Sequence, residues 1–187
     1  MNIIAIDPDY RRPGYALFIN GGMRELGTFQ LDDKATDANL TITWIKHEFA
    51  NIYNRWEGVR FTVVVEVAVL GDVPIWVANE NNIARNALIG ALKRKGTALS
   101  RCQFIGGIIA GIAAGKSKVD YLEPKEWNVS RQSKKSLHER VFLQYPTIKA
   151  KRKKYKNGVT DDSIDAFLIG EAYLKKQQYK LFQGKEI

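Results

Sequence analysis

The chain has little cysteine, little histidine and no long apolar run, and each shortage removes a class of protein. With one cysteine, Cys102, among 187 residues, no disulfide can form within the chain, and a reducing compartment is expected. His47, His138 and Cys102 share no metal-ligand spacing, so a zinc site has nothing to build on. The longest strongly apolar run, Phe104 to Ala114, is too short to cross a bilayer and is broken by Gly106, Gly107 and Gly111. The opening MNIIAIDPDY has neither a basic stretch nor an apolar core of signal-peptide length, so a cytoplasmic protein with no membrane partner is expected. Repeats, low-complexity segments and Ser/Gly linkers are also missing. That leaves one domain over residues 1–187, with a basic loop near 147–158 and a tail near 176–187.

Positive charge, by contrast, is in surplus. Lys and Arg number 29 against 20 Asp and Glu, a net charge of +9. Such a balance suits a polyanionic partner, either nucleic acid or an anionic membrane surface. The densest run is KAKRKKYK, in which Lys149, Lys151, Arg152, Lys153, Lys154 and Lys156 are basic. Such a loop clamps phosphates if it lies beside the chemistry. Arg85, Lys93, Arg94, Lys95 and Arg101 form a second basic set.

Hydrophobic patterning predicts the frame. Asn2 to Ile6 is a short apolar strand stopped by Pro8. Gly14 to Asn20 and Met23 to Leu31 read as strands joined at Gly21-Gly22. Asp37 to Trp56 carries Ile42, Ile45, Phe49, Ile52 and Trp56 at helical spacing. Phe61 to Val67 is almost continuously β-branched, hence a strand buried on both faces. Thr97 to Ala114 is a helix with Cys102, Ile105, Ile109 and Ile112 on its core stripe. Lys118 to Leu122 is a strand, and Ser133 to Tyr145 and Thr160 to Gln177 are helices. A hairpin followed by alternating helices and strands predicts an α/β fold with a mixed sheet flanked by helices.

Within that frame the acids stand out. Asp7 ends the first strand, and Glu66 lies inside FTVVVEVAVL, where an unpaired carboxylate costs several kcal/mol. Asp162 and Asp165, three apart in VTDDSIDAFLIG, share a helix face that borders the apolar arc Ile164, Leu168, Ile169 and Ala172. Asp161 is also within range of Asp165, and periodicity does not choose between Asp161 and Asp162. Each acid taken singly has a plain alternative as a turn residue, a helix-dipole partner or half of a salt bridge. Together they form an all-oxygen set suited to Mg²⁺ or Mn²⁺. Two such ions about 4 Å apart activate water and stabilise the leaving oxygen in phosphodiester cleavage.

The ordered set resembles the RuvC-type Holliday junction resolvases. Ile4-Ala5-Ile6-Asp7-Pro8 with Gly14-Tyr15 resembles their opening motif, Val65-Glu66-Val67 their second acid, and Asp162-Ser163-Ile164-Asp165-Ala166 their C-terminal D-x-x-D-A helix. The order and approximate spacing agree over nearly the whole chain. The resemblance implies an RNase H-like fold with a five-stranded sheet, a homodimer, and paired symmetric nicks in a four-way DNA junction. Asp7, Glu66, Asp162 and Asp165 would hold two Mg²⁺, with Mn²⁺ as a substitute, and the ends would be 5′-phosphate and 3′-hydroxyl. It selects Asp162 over Asp161. Lys125 and Lys134-Lys135-Ser136 resemble the family's basic residues near the penultimate helix. Lys135 is favoured as the catalytic lysine, because a Lys-Ser pair opens that helix in the relatives.

The departures lean towards divergent phage-type members. Asp9 stands where the family usually has Gly. The stretch Val67-Ala68-Val69-Leu70 has no aromatic wedge, for which Leu70 or Trp76 could substitute. A less selective nuclease on branched DNA or RNA–DNA hybrid, a non-catalytic DNA-binding module, and an actin-like ATPase are the rival readings. Ala110 to Ser117 (AGIAAGKS) matches a relaxed phosphate-loop pattern, but it lies at the end of a helix and not at its start.

Overall fold

The computed structural model describes residues 1–9, 12–29, 38–67, 102–128, 132–151 and 159–184. β1 (Ile3–Asp7), β2 (Gly14–Ile19), β3 (Gly22–Thr28), β4 (Thr62–Glu66) and β5 (Lys118–Leu122) form one mixed sheet in the order β3-β2-β1-β4-β5. β1 is antiparallel to β2 and parallel to β4, which is parallel to β5. The helices are α1 (Ala38–Arg55), α2 (described over 102–114), α3 (Pro124–Trp127), α4 (Lys134–Gln144), α5 (Pro146–Lys151) and α6 (Asp161–Phe182). This is the mixed five-stranded sheet with flanking helices that the patterning predicts.

Strand alternation sorts the core into two layers. Ile4, Ile6, Leu17, Val63 and Val65 pack against Ile45, Phe49 and Ile52 of α1 and Ile105 and Ile109 of α2. Ile3, Ala5, Ala16, Phe18 and Val64 pack against Leu137 and Val141 of α4, Ile148 of α5 and Ile164, Phe167 and Ile169 of α6. Each fully buried Ile, Leu or Phe contributes about 1.5–3 kcal/mol. α6 thus lies across the sheet face to which the odd-numbered residues of β1 point.

Three details differ from the sequence reading. The β2–β3 turn is Asn20-Gly21 and not Gly21-Gly22: Asn20 has φ 52° and Gly21 φ 78°, while Gly22 already pairs with Ile19. A type I′ hairpin turn needs positive φ at both central positions, and Asn-Gly meets that best. α3 and α5 were not foreseen. Each opens on a proline, Pro124 and Pro146, a favoured first helical residue, and each is too short for a periodicity to register. α6 also runs on to Phe182, past the expected end at Gln177. AGIAAGKS is the end of α2 as expected, with the Lys116 and Ser117 amides donating to the Ala113 carbonyl and β5 starting at Lys118.

Candidate active site

Alternation decides where the first two acids point. Asp7 continues the side of Ile3 and Ala5, and Glu66 continues the side of Val64. β1 and β4 run parallel with Ile6 beside Val65, so the next positions set Asp7 beside Glu66. Both lie at the C-terminal ends of parallel strands, on the face that α6 covers, where open α/β sheets place their sites. α6 begins at that end. Its cap is reciprocal: the Thr160 hydroxyl accepts from the Ser163 amide, and the Ser163 hydroxyl accepts from the Thr160 amide. The start of the helix is also pressed close to the sheet. A Cβ built on Gly14, which pairs with Asp7, would stand 2.1 Å from the Asp162 carbonyl oxygen.

Of the two candidate acids at the helix start, Asp162 faces the cluster and interacts with Asp7, Asp165 and Lys134. Asp161 is exposed, with its carboxylate 3.7 Å from Nδ1 of His138. Asp165 is 1% exposed and holds two donors from successive turns of α4. His138 Nε2 donates to Oδ1 at 2.8 Å, and Lys134 Nζ donates to Oδ2 at 2.5 Å. Glu66 accepts from the Trp127 indole N–H, 2.7 Å from Oε1.

Crowding of like charge shows in the acidities. The Asp7 carboxyl is raised well above the usual range by burial, then by the charges of Glu66, Asp165 and Asp162. Glu66 is raised by burial and by Asp165, against the pull of the Trp127 hydrogen bond, Lys134 and a hydrogen bond with Asp7. Asp162 is raised to about 6 by burial, then by Asp9, with Lys134 opposing. Burial works against the Lys134 ammonium, but the hydrogen bond and charge of Asp165, with Asp7 and Asp162, raise its pKa overall. Lys134 is therefore the cation that the cluster holds.

A stability prediction follows from these directions. An acid whose native pKa lies above its unfolded value, 3.8 for Asp and 4.5 for Glu, binds its proton more tightly when folded. Stability contributed by that proton is full below the unfolded value and lost as pH rises through the native one. For Asp162 the loss falls between 3.8 and about 6, and Asp7 extends it upward. In chelator, the melting temperature is expected to fall as pH rises from 3.8 through about 6 and to go on falling above that as Asp7 ionises, and the slope above about 6 should flatten in Asp7→Asn. An unchanged slope in that variant would remove the cluster as its source.

The donor set is oxygen only, as Mg²⁺ or Mn²⁺ prefers, and a cationic ammonium already sits on it. Among the described residues, however, no three His, Cys, Asp or Glu side chains stand ready to hold a metal ion. Asp165 and Glu66 are instead engaged by protein donors. The chemistry of the set fits a divalent cation, and Asp165 Oδ2 would be freer to serve one if Lys134 withdrew from it.

The other expected site residues are distributed as follows. Lys134 and Lys135, the latter favoured as the catalytic lysine, are both exposed, but it is the Lys134 ammonium that reaches Asp165. Adjacent helical residues point about 100° apart, so only one of the pair can face α6. Lys125 is on α3, paired with Glu123 at 2.6 Å. Asp9 accepts from the Arg12 amide at 3.0 Å, and its charge raises Asp162. The backbone of Lys149 and Lys151 lies in α5. Arg152, Lys153, Lys154 and Lys156 lie outside the described residues, as do Arg85, Lys93, Arg94, Lys95, Arg101, Leu70 and Trp76. Sequence reasoning missed Trp127 and His138. His138 had a signal, since with Lys134 it sits at i,i+4 on a helix whose Leu137 and Val141 are buried. Trp127 had none, because the turn that returns it to β4 has no periodic pattern.

No protein-family profile matches the chain, and no curated protein does. Solved structures do. RuvC of T. thermophilus in complex with a Holliday junction substrate superimposes with a TM-score of 0.55 at 12% identity, over 95% of this chain and 96% of that one. Another Thermus thermophilus RuvC structure gives 0.52 at 14% identity, over 95% and 97%. At these identities the likeness is one of fold: the chain has an RNase H-like, RuvC-like fold.

Proposed function

We propose that the chain is a divalent-metal-dependent DNA endonuclease that nicks four-way junctions in symmetric pairs and acts as a homodimer. The observation that carries this reading is the convergence of Asp7, Glu66, Asp162 and Asp165 on one ammonium, with three of the acids raised. Such mutual repulsion is costly in a structural role and useful where hard cations must be held. The RuvC-like fold and the +9 charge support the same reading. The ring-free stretch after Glu66 is the reason for ranking the chain with divergent, phage-type members.

Asp7, Glu66, Asp162 and Asp165 would hold Mg²⁺ or Mn²⁺, two ions in all. Bound there, the metal supplies Lewis acidity and a more acidic water. In the net reaction a water oxygen bonds to phosphorus and the P–O3′ bond breaks, leaving 5′-phosphate and 3′-hydroxyl. His138 and Trp127 donate to Asp165 and Glu66 and would help to orient them. Once released from Asp165, Lys134 offers positive charge to a scissile phosphate as its oxygens gain charge. Lys125 and the basic run from Lys149 to Lys156 would contact flanking phosphates.

The test is cleavage in Mg²⁺ of a four-way junction, a linear duplex and an RNA–DNA hybrid of matched sequence. Paired nicks on the junction, with much slower cutting of the others, are expected. Equal cutting of all three would indicate a less selective nuclease. A second reading, a non-catalytic DNA-binding module, draws on the engagement of both Asp165 oxygens by protein donors. Junction binding without cleavage in Mg²⁺ or Mn²⁺ would favour it.

A further inference from the structure

We infer that Trp127 is a positioning residue that presents Glu66 to the metal through its indole N–H, an inference that rests on the metal-site reading above. Glu66 is the last residue of β4, and its partner Leu122 is the last of β5. Beyond Leu122 the chain turns at once into α3. A capping box between Glu123 and Glu126 opens that short helix, with Pro124 in its first turn. Glu126 is tied to α6 by Lys176 at 2.5 Å. This corner returns Trp127 over the end of β4, where Nε1 stands 2.7 Å from Glu66 Oε1.

The geometry has a specific consequence. An indole has one donor and no acceptor, so it can hold one carboxylate oxygen and nothing else. With Oε1 held, the rotation of the Glu66 carboxyl is restricted, and it stays beside Asp7, with which it also shares a hydrogen bond. The bond also favours the charged carboxylate, opposing the rise caused by burial. Partners of this kind around a metal ligand typically change metal affinity by about 10–100-fold when removed. His138 does the equivalent for Asp165, but it is buried and closely packed, whereas Trp127 is half-buried at the rim. Trp127 can therefore be altered with less disturbance of the core.

The test is Trp127→Phe, which keeps an aromatic ring and removes only the donor and one ring. Mn²⁺ affinity of the full chain is measured by titration calorimetry, alongside the Mg²⁺ concentration for half-maximal junction cleavage and the melting temperature in chelator. The expected result is Mn²⁺ binding weakened about 10–100-fold. The half-maximal Mg²⁺ should rise by a similar factor, with cleavage recovering at saturating metal. Indole emission of the wild type should change on adding Mn²⁺, and Trp127→Phe should lose most of that change. A merely structural tryptophan would lower the melting temperature and leave the metal dependence alone, which overturns the inference. Wild-type and variant affinities that agree overturn it too, while leaving the metal site standing. If the wild type binds no Mn²⁺ that Asp7→Asn removes, the metal-site reading fails and this inference with it.

Discussion

Asp7→Asn is expected to abolish cleavage and, in chelator at neutral pH, to raise the melting temperature. The two effects have one cause. Asp7 is half-buried on the central strand of the sheet, beside Glu66 and within range of Asp162 and Asp165. Its charge is disfavoured in the metal-free fold, so a neutral side chain of the same shape relieves repulsion and can donate to Glu66. The same substitution removes a charged oxygen, in the proposed metal site, from the place where acids of two strands and a helix meet among the described residues. A loss of at least about 10³-fold in kcat is the scale for a group whose role lies in the transition state. Junction cleavage with Mg²⁺, set beside a thermal melt in chelator, checks both signs. A variant that loses stability and activity together would make Asp7 structural.

Gly14→Ala is expected to be the most damaging small substitution. The new methyl would meet backbone, not a movable side chain: 2.1 Å to the Asp162 carbonyl oxygen and 2.5 Å to the Ser163 amide. Either β2 leaves its pairing with Asp7 or the start of α6 lifts from the sheet. Overpacking of this kind costs about 3 kcal/mol at the upper end of its usual range. In a chain of this size that corresponds to a fall of roughly 6–12 °C in melting temperature. Lifting α6 also withdraws Asp162 and Asp165, and a misplacement of about 1 Å can cost about 10²-fold in rate. Gly107→Ala is the control, since that exposed position of α2 has open space around it among the described residues. There, an alanine is expected to be stabilising by about 0.5–1 kcal/mol. Thermal denaturation of the two variants separates a steric requirement from a general intolerance of substitution.

Much of this arrangement was legible in the sequence where one residue's periodicity carries the information. The apolar run of β1 and the β-branched run of β4 predict the sheet and put Asp7 and Glu66 at or near strand ends. The apolar arc of α6 put its acids at the edge of the core. What was illegible depends on contacts between elements. Gly14 reads as a turn or strand residue until α6 is laid on it. The preference for Lys135 followed the resemblance, and only the packing of α4, with Leu137, His138 and Val141 inward, turns Lys134 towards Asp165. Trp127 reaches Glu66 through a helix of four residues, too short to leave a pattern. Periodicity could not choose between Asp161 and Asp162, because both fit the first turn; the direction of α6 over β1 and β2 turns Asp162 towards the cluster.

The most direct measurement is a crystal soaked in Mn²⁺ with anomalous data collected at the manganese edge. Manganese density is expected among Asp7, Glu66, Asp162 and Asp165, with Lys134 withdrawn from Asp165 Oδ2. An intact Lys134–Asp165 pair, with manganese bound elsewhere or nowhere, would contradict the metal-site reading.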